Sequence, residues 1–411
     1  MDPLLLDGVD GVDVAIVLIK VLVTFAFLMV AVMFMVWFER KIISDMQHRI
    51  GPNRAGPWGI LQTLADGIKL FFKEDLIPER ADRRVFKLAP YLALVPAFLI
   101  FSIVPIGGSF NGGDDGTVEI FGRSTFLQLA DPPVGVLFFL AMSGVAVYGV
   151  MMAGWSSGSK YPLLGSVRAS AQIVSYEAAL GLSLAAVILV SGTLSSHGIV
   201  AVQAQDGPGF LPNWNLLITG VLPFVVFLVA GTAELNRPPF DLVEAEQELV
   251  GGFHTEYSSI RFALFFLAEF MNTVTMSALI VTLFLGGPDG LVDIPFFPNA
   301  LEGVFWFFLK LFLFLFTFVW FRGTLPRLRY DQLMDLGWKV LIPVSLGWLL
   351  FLGALRVARD RDWQLPIVVA IAVGVMGVAL ALLYLSLNAA KRNRYEEFGP
   401  ESRPLGAGAA R

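Results

Sequence analysis

The chain has 411 residues, of which 56% are hydrophobic and only 15% are charged, and its formal net charge is −5. A soluble domain is about half apolar and a quarter charged, so this composition excludes an ordinary soluble protein and indicates a membrane protein. The chain has no cysteine and three scattered histidines, which excludes disulfides, thiolate-held iron–sulfur clusters and cysteine-based zinc sites, and argues against a bis-histidine haem.

Apolar runs of about 20 residues, the length of helix that crosses about 30 Å of hydrocarbon, recur along nearly the whole chain. We predict an all-α polytopic membrane protein, with residues 1–388 as a single helical membrane domain and 389–411 as a tail. The first run is too long for the apolar core of a signal peptide, so we expect it to remain as a span. The nine predicted spans are residues 14–38, 88–106, 134–154, 174–192, 215–233, 262–285, 304–321, 339–355 and 365–388.

The distribution of Lys and Arg predicts the orientation of these spans. If the N-terminus lies outside, the connections after odd-numbered spans and the C-terminal tail hold most of the 29 basic residues. Cytoplasmic segments carry such an excess, so we expect the N-terminus outside and the tail in the cytoplasm. The opposite connections at 107–133, 193–214 and 286–303 are rich in Gly, Pro and Asp, which predicts irregular turns.

Charged residues follow the first span, in the sequence WFERKIISDMQHRIGPNRAGP (37–57). Interfacial anchoring explains Glu39 and Arg40 best when they are considered alone. Arg49 and Arg54 flank a Gly-Pro-Asn turn, which holds them on a loop. Basic groups on such a loop could contact a polar headgroup or an acidic partner.

An amphipathic helix is predicted at about residues 57–75. Its apolar face would hold Leu61, Leu64, Ile68, Phe71 and Phe72, and its polar face Gln62, Asp66, Lys69 and Lys73. A helix of this kind is too polar to cross the bilayer and lies in the interface. An ordinary surface helix fits the pattern equally well.

Two glutamates fall inside predicted spans. Glu177 follows Tyr176 in the opening turns of the fourth span, and Glu269 lies about two turns into the sixth. A charged carboxylate is costly in a bilayer, so these groups face protein or water and are candidates for proton transfer. The structural alternative is a glutamate that is hydrogen-bonded to a neighbouring helix.

The most acidic part of the chain is the predicted cytoplasmic loop 234–261. Its central sequence, AELNRPPFDLVEAEQELVGGFHTEYS (233–258), holds Glu234, Asp241, Glu244, Glu246, Glu248 and Glu256 with one base, Arg237. Pro238 and Pro239 end the helix that carries Glu234. If a helix restarts beyond them, Asp241, Glu244 and Glu248 share one face while Glu246 points away. Interleaved apolar residues favour buried acids with coupled titrations over a solvated acidic loop.

A further group of charges follows the seventh span. Arg322, Arg327, Arg329 and Asp331 lie within residues 321–343. Anchoring of the span orientation explains most of this charge.

Three segments resemble one known family: ERKIISDMQHRIGPNRAGPWGILQTLADGIKLFFKED (39–75), the acidic sequence 233–258, and PRLRYDQLMDLGWK (326–339). They are similar to the signature segments of the H subunit family of bacterial NADH:quinone oxidoreductase, respiratory complex I. The resemblance runs from about residue 15 to about residue 355. The last span and the tail exceed the shorter members of the family.

The resemblance implies that the chain lies where the electron-carrying arm joins the membrane arm and forms much of the quinone tunnel, with the amphipathic helix near its lipid entrance. The implied tunnel residues are Glu39, Arg40, Arg49, Asp66 and Arg322. The implied proton relay toward the antiporter-like subunits consists of Glu177, Glu234, Asp241, Glu244, Glu246, Glu248 and Glu269. Arg237 matches the arginine of the family's acidic loop, which it would stabilise.

The resemblance also implies partners and a location. Ubiquinone or menaquinone would be the substrate, while FMN and iron–sulfur clusters would belong to partner subunits. The expected partners are hydrophilic iron–sulfur and quinone-site subunits, small and antiporter-like membrane subunits, and the lipid of the bacterial inner (plasma) membrane. We expect no catalytic nucleophile, no metal site, no redox centre and no nucleic-acid binding in this chain.

Three other functions are weighed against this one. A secondary cation transporter would also use buried acids, but the sequence has no inverted repeat or matching broken helices. The related membrane subunit of energy-converting hydrogenases lacks a quinone, and the complete motifs at 39–75 argue against it. A passive membrane anchor does not explain Glu177 and Glu269.

Overall fold

The computed structural model of the chain describes residues 2–5, 10–108, 110, 115–205, 212–242, 249–290, 299–361 and scattered positions between 366 and 384. The described chain is mostly helical, which confirms the predicted all-α polytopic fold. The helices are α1 (Gly11–Met46), α2 (Gln62–Phe72), α3 (Arg83–Phe101), α4 (Gly135–Ser156), α5 (Lys160–Ser191), α6 (Ser196–Gln203), α7 (Asn215–Ile218), α8 (Val221–Glu234), α9 (Ser259–Phe284), α10 (Asn299–Thr324), α11 (Tyr330–Leu336) and α12 (Ile342–Asp360).

Seven helical segments within the described ranges are long and apolar enough to cross a membrane. They are α1, α3, α4, α5, α9, α10, and the α11–α12 pair joined by a π-helical turn at Gly337–Leu341. The fifth predicted span corresponds to α7 and α8, which are separated by a break at Thr219 and Gly220. The ninth, 365–388, lies largely outside the described residues.

Helix α5 begins well before the predicted fourth span. α5 begins at Lys160 rather than near residue 174, so Tyr176 and Glu177 lie near the middle of a helix of 32 residues. The first turns of α5 contain several polar residues, which lower the hydropathy without preventing helix formation. The apolar run therefore marks the second half of this helix and not its beginning.

The core lies around α9, which packs against α1, α3 and α10. In its most apolar window 72% of the residues are buried, compared with 22% for α1. Tyr176, Phe227, Phe284 and Phe307 are among the largest fully buried side chains. The central helix is thus enclosed by protein, while α1 presents apolar side chains such as Leu22 outward, as expected for a lipid-facing helix.

A short β-hairpin interrupts the connection 107–133, where the sequence predicts only irregular turns. Strands β1 (Thr117–Ile120) and β2 (Arg123–Phe126) pair antiparallel. Lys20 of α1 donates to Thr125 Oγ1 at 2.9 Å and to the carbonyl of Phe126 at 3.0 Å, and pairs with Asp2 at 3.0 Å. The hairpin therefore supplies hydrogen-bond acceptors to Lys20, which lies within an apolar span.

Helix α2 is shorter than the predicted amphipathic segment but has the predicted polarity. Its apolar residues Leu64, Ile68, Phe71 and Phe72 are exposed, Phe72 by 88%. Asp66, on the opposite face, bonds to α1. The interfacial position of α2 stays a prediction.

Near the C-terminal end of α9, buried polar side chains form hydrogen bonds with backbone groups at helix ends. Gln203 donates to the carbonyl of Thr282 at 2.9 Å and accepts from the backbone N–H groups of Asn215 and Gly286 at 3.0 and 3.1 Å. Lys310 donates to carbonyl groups of the segment that follows α9. Helix ends leave backbone groups without intrahelical partners, and these side chains satisfy them.

Candidate functional site

Glu39, in the last turns of α1, lies between two arginines from distant parts of the chain. Arg237 Nη1 donates to Glu39 Oε2 at 2.7 Å, and Arg322 Nη1 donates to Glu39 Oε1. Glu39 is 5% exposed and Arg237 4%. Burying a carboxylate is costly unless opposite charges and hydrogen bonds accompany it, and the two guanidinium groups supply both.

Arg237 also contacts the central helix. Its Nε lies 3.1 Å from Glu269 Oε1, and its guanidinium lies over the ring of Phe270 at 4.4 Å from the ring centre. Both residues are on α9. Arg237 therefore connects the carboxylate at the end of α1 with the carboxylate on α9.

The pair of Arg40 and Asp66 joins α1 to α2. Arg40 Nη1 donates to Asp66 Oδ2 at 2.8 Å, and Lys69 lies 3.7 Å from the same carboxylate. Trp37 Nε1 donates to the carbonyl of Trp58 at 2.9 Å. Because Arg40 and Asp66 are partly exposed, we expect their ion pair to orient α2 more than to stabilise the fold.

A cavity of about 470 Å³ lies beside these residues. Its charged lining consists of Glu39, Arg40, Arg49 and Arg322, and Phe266 and Phe270 of α9 contribute aromatic surface. Four of the five predicted tunnel residues thus line one cavity, and the fifth, Asp66, bonds to a lining residue. This volume is within the range of about 300–1,000 Å³ that is typical of small-molecule pockets. We refer to it as the charged cavity.

A second, smaller cavity of about 100 Å³ lies on the other side of α9. Its polar lining includes Ser143, Glu234, Asn236, His254, Glu269 and Asn272. Phe266 lines both cavities. The space exceeds the roughly 10–15 Å³ that one water molecule requires, and its lining offers hydrogen-bond partners. We refer to it as the inner cavity.

The predicted relay residues Glu234 and Glu177 lie on the neighbouring helices α8 and α5, and Glu234 lines the inner cavity. Ser143 of α4 donates to Glu234 Oε1. A Cβ atom on Gly144, the next residue of α4, would lie 3.6 Å from Glu177 Oε1. Glu234 and Glu269 therefore line the inner cavity together with Ser143 of α4, while Glu177 approaches the same helix at Gly144.

Asp241, in the acidic loop, pairs with an arginine that follows α10. Arg327 Nη2 donates to Asp241 Oδ2 at 2.8 Å, and the N–H of Leu328 donates to the carbonyl of Pro239 at 3.0 Å. Three further predicted acids of this loop, Glu244, Glu246 and Glu248, lie outside the described residues.

The charges that follow α10 do more than anchor the span. Arg322 pairs with Glu39, and Arg327 pairs with Asp241. Arg329 lies only 3.8 Å from Asp331 and is 82% exposed, as expected for a surface anchor. Anchoring of the span orientation stays a prediction for these arginines, while Arg322 and Arg327 also form ion pairs within the protein.

The end of the acidic loop is fixed by aromatic packing. The ring of Tyr257 stacks on Phe86 with centroids 4.0 Å apart, and its hydroxyl donates to the carbonyl of Phe86 at 3.1 Å. Burial raises the pKa of Tyr257 to about 12. His254, in the adjacent turn Gly252–His254, packs against Phe253 and Phe262. Burial lowers the pKa of His254 to about 4.

Three residues of this region escape sequence reasoning. In the sequence His254 is one scattered histidine, Ser143 belongs to no motif, and Gln172 lies just before the predicted fourth span. Gln172 is 1% exposed and donates to the carbonyls of Ala233 and Phe240. For Gln172 the sequence offers one weak signal, which is a single neutral polar residue beside an apolar run.

The buried His254 predicts a pH-dependent stability. Its pKa of about 4 in the folded chain is below the value of about 6.5 expected when unfolded. The unfolded state then binds more protons between these values, so stability is complete above about pH 6.5 and is lost as the pH falls toward 4. We expect His254→Asn to show a smaller drop in thermal unfolding midpoint between pH 7 and pH 5 than the parent. His48→Asn, at an exposed turn, is the matched control, and parental behaviour of His254→Asn would contradict the prediction.

Comparison with known proteins places these features in a family. A family model described as NADH dehydrogenase matches residues 19–353. The NADH-quinone oxidoreductase H subunit of Frankia alni is 51% identical over 382 residues, which cover 92% of this chain and 81% of that protein. The protein of the same name from Frankia casuarinae is 50% identical with the same coverage. That of Streptomyces avermitilis is 49% identical over 375 residues, covering 90% of this chain and 79% of its own length.

Proposed function

The chain belongs to the NADH dehydrogenase family as a membrane subunit of NADH-quinone oxidoreductase, and from that premise we propose that the charged cavity is part of the quinone site and that the carboxylates around the inner cavity form a proton relay. The single observation that carries the proposal is the contact chain from Glu39 through Arg237 to Glu269, which joins the two cavities.

The lining of the charged cavity suits a quinone headgroup. A quinone has a flat ring with two carbonyl oxygens, which accept hydrogen bonds. Arg40, Arg49 and Arg322 supply cationic donors, and Phe266 and Phe270 supply aromatic contact. Cationic donors also stabilise the negative charge that develops on the oxygens during reduction. Glu39 holds Arg237 and Arg322 in place through its ion pairs, and its negative charge offsets part of the positive charge of the arginines.

The exposed apolar face of α2 supports an entrance at the level of the membrane. Arg40 and Asp66 hold α2 beside the charged cavity, while Ile68, Phe71 and Phe72 point away from the protein. An amphipathic helix in the interface buries such a face in the acyl boundary. A quinone with an apolar tail would approach the cavity along this face.

The relay proposal rests on the arrangement of carboxylates. Glu269 meets Arg237 and lines the inner cavity together with Glu234. Ser143 of α4 bonds to Glu234, and the next residue, Gly144, lies close to Glu177. Ionisable groups inside a membrane domain commonly mark proton pathways. Asp241, Glu244, Glu246 and Glu248 would extend this row through the acidic loop. Quinone reduction consumes protons and changes the charge beside Arg237, and we infer that the carboxylates respond by shifting protons.

The rest of the assembly follows from the same premise. Electrons would come from iron–sulfur clusters and FMN in hydrophilic partner subunits, since this chain has no cysteine. The small and antiporter-like membrane subunits would receive the protons that the relay transfers. The distribution of Lys and Arg supports an N-terminus outside the bacterial inner membrane and a cytoplasmic tail.

The quinone site is tested by Arg49→Ala and Asp66→Asn in the assembled enzyme. Loss of one charge-assisted hydrogen bond should lower quinone reductase activity roughly tenfold. NADH oxidation by a soluble artificial acceptor should survive, because that acceptor takes electrons before they reach the membrane. Arg329→Ala, which removes an exposed arginine outside the cavity, is the matched control. Normal quinone reduction by both test variants would sink the proposal, and equal loss of the two activities would indicate failed assembly.

The relay is tested by Glu234→Gln and Glu177→Gln, which keep the side-chain size and remove the titrating group. We expect a marked loss of NADH-driven proton uptake into sealed vesicles, and the same for Glu244→Gln and Glu248→Gln with a milder loss for Glu246→Gln. The corresponding Glu→Asp variants should retain more activity, because their charge can still form. Glu119→Gln, on the exposed side of β1, serves as control. Quinone reduction and subunit content are scored in parallel, and Gln variants that assemble and translocate protons like the parent would refute the relay.

A further inference from the structure

We propose that Gln172 of α5 is a positioning residue that holds Arg237 against Glu39. This inference rests on the proposed quinone site. It adds to that site a neutral residue that lines neither cavity and acts through the backbone of the segment 233–240, which we call the arginine turn. Gln172 is 1% exposed.

The side-chain amide of Gln172 forms hydrogen bonds with both ends of the arginine turn. Gln172 Nε2 donates to the carbonyl of Ala233 at 2.8 Å and to the carbonyl of Phe240 at 3.0 Å, and Asn236 Oδ1 lies 3.3 Å away. Ala233 is the second-last residue of α8, and Phe240 follows the two prolines. Arg237 lies between these two attachment points, so the amide fixes the backbone from which its side chain extends.

Backbone hydrogen bonds hold the arginine turn in part: the N–H of Asn236 donates to the carbonyl of Ala233 at 3.2 Å, and the N–H of Leu242 to that of Phe240 at 2.9 Å. The last carbonyl groups of a helix have no intrahelical partner, and Pro238 and Pro239 have no N–H to donate. Within the turn, the N–H of Phe240 donates to the carbonyl of Arg237 at 2.9 Å. Each carbonyl has a second lone pair, so the amide of Gln172 can bond to both carbonyls at once and link the two ends of the turn, which a hydroxyl cannot do with its single proton.

The helix that carries Gln172 also contacts the other loop of the site. Tyr176 lies one turn further along α5 and shares its face. Its ring packs against Phe240 at 5.3 Å, and its hydroxyl donates to the carbonyl of Leu333 at 2.9 Å. Glu177, the next residue, approaches Gly144 of α4 instead. The same stretch of α5 therefore holds the arginine turn and carries a carboxylate of the proposed relay.

Gln203 is a control that distinguishes a positioning role of Gln172 from a purely structural one. It is also a glutamine, also 1% exposed, and also bonded to backbone groups at helix ends. Its acceptor on α9, Thr282, lies 13 residues beyond Glu269, about 20 Å along the helix. The two glutamines thus make similar contacts at very different distances from Arg237.

The experiment compares Gln172→Leu with Gln203→Leu in the assembled enzyme. Both variants should lower the thermal midpoint. Gln172→Leu alone should raise the KM for quinone and lower kcat/KM about tenfold, the effect of one lost buried hydrogen bond, with artificial-acceptor activity retained. In an Arg237→Gln background the Gln172→Leu change should add almost nothing, because a positioning residue acts only through the group it positions.

A second variant keeps the inference testable if Gln172→Leu assembles poorly. The side chain introduced by Gln172→Glu can donate a hydrogen bond only while it is protonated. Its quinone reductase activity should therefore fall with rising pH over a range in which the parent and Gln203→Glu do not change. A pH profile identical to that of the parent would overturn the inference.

The outcomes distinguish this inference from the proposed function. If Gln172→Leu and Gln203→Leu behave alike in quinone kinetics while Arg237→Gln and Arg49→Ala are impaired, Gln172 is only structural and the quinone site stands. If Arg237→Gln and Arg49→Ala also reduce quinone normally, the proposed function fails and the inference fails with it.

Discussion

A carboxylate that is buried in a membrane protein needs compensating charge, and Glu39 has two arginines to supply it. The three side chains come from the end of α1, the turn after α8 and the end of α10. Loss of either arginine would leave the buried charge poorly compensated, so these elements must assemble together. The charged cavity is a consequence, because its charged lining comes from the segments that Glu39 joins. The remaining contacts, including those of Gln172 and Arg327, keep the connecting loops in register with this centre.

Arg237 gives the arrangement its proposed function. On one side it bonds to Glu39, and on the other it lies 3.1 Å from Glu269, whose helix separates the two cavities. A change of charge in the charged cavity can therefore act on the inner carboxylates over a short path of weakly screened contacts. In the proposed enzyme the reduction of quinone takes place in one cavity and protons move in the other. Coupling would then depend on electrostatics at one guanidinium and not on a chemical group shared by both sites.

Much of the fold could be predicted from hydropathy, because a long apolar run in lipid must satisfy its backbone as a helix. The hairpin escapes such a prediction because strands of four residues are too short for their alternation to stand out in the sequence. The true start of α5 is missed because polar residues can continue a helix beyond an apolar run. The resemblance supplied Glu39, Arg237 and Arg322 as candidates. Their contacts could not be predicted, since Glu39 and Arg322 are 283 positions apart and only tertiary packing brings them together.

The most direct test of this coupling is the number of protons translocated per quinone reduced, measured in sealed vesicles with Arg237→Gln. If Arg237 transmits charge between the cavities, the ratio should fall well below that of the parent. In Arg49→Ala, which alters only the lining of the charged cavity, turnover should fall while the ratio is kept. A parental ratio in assembled Arg237→Gln enzyme would contradict the account.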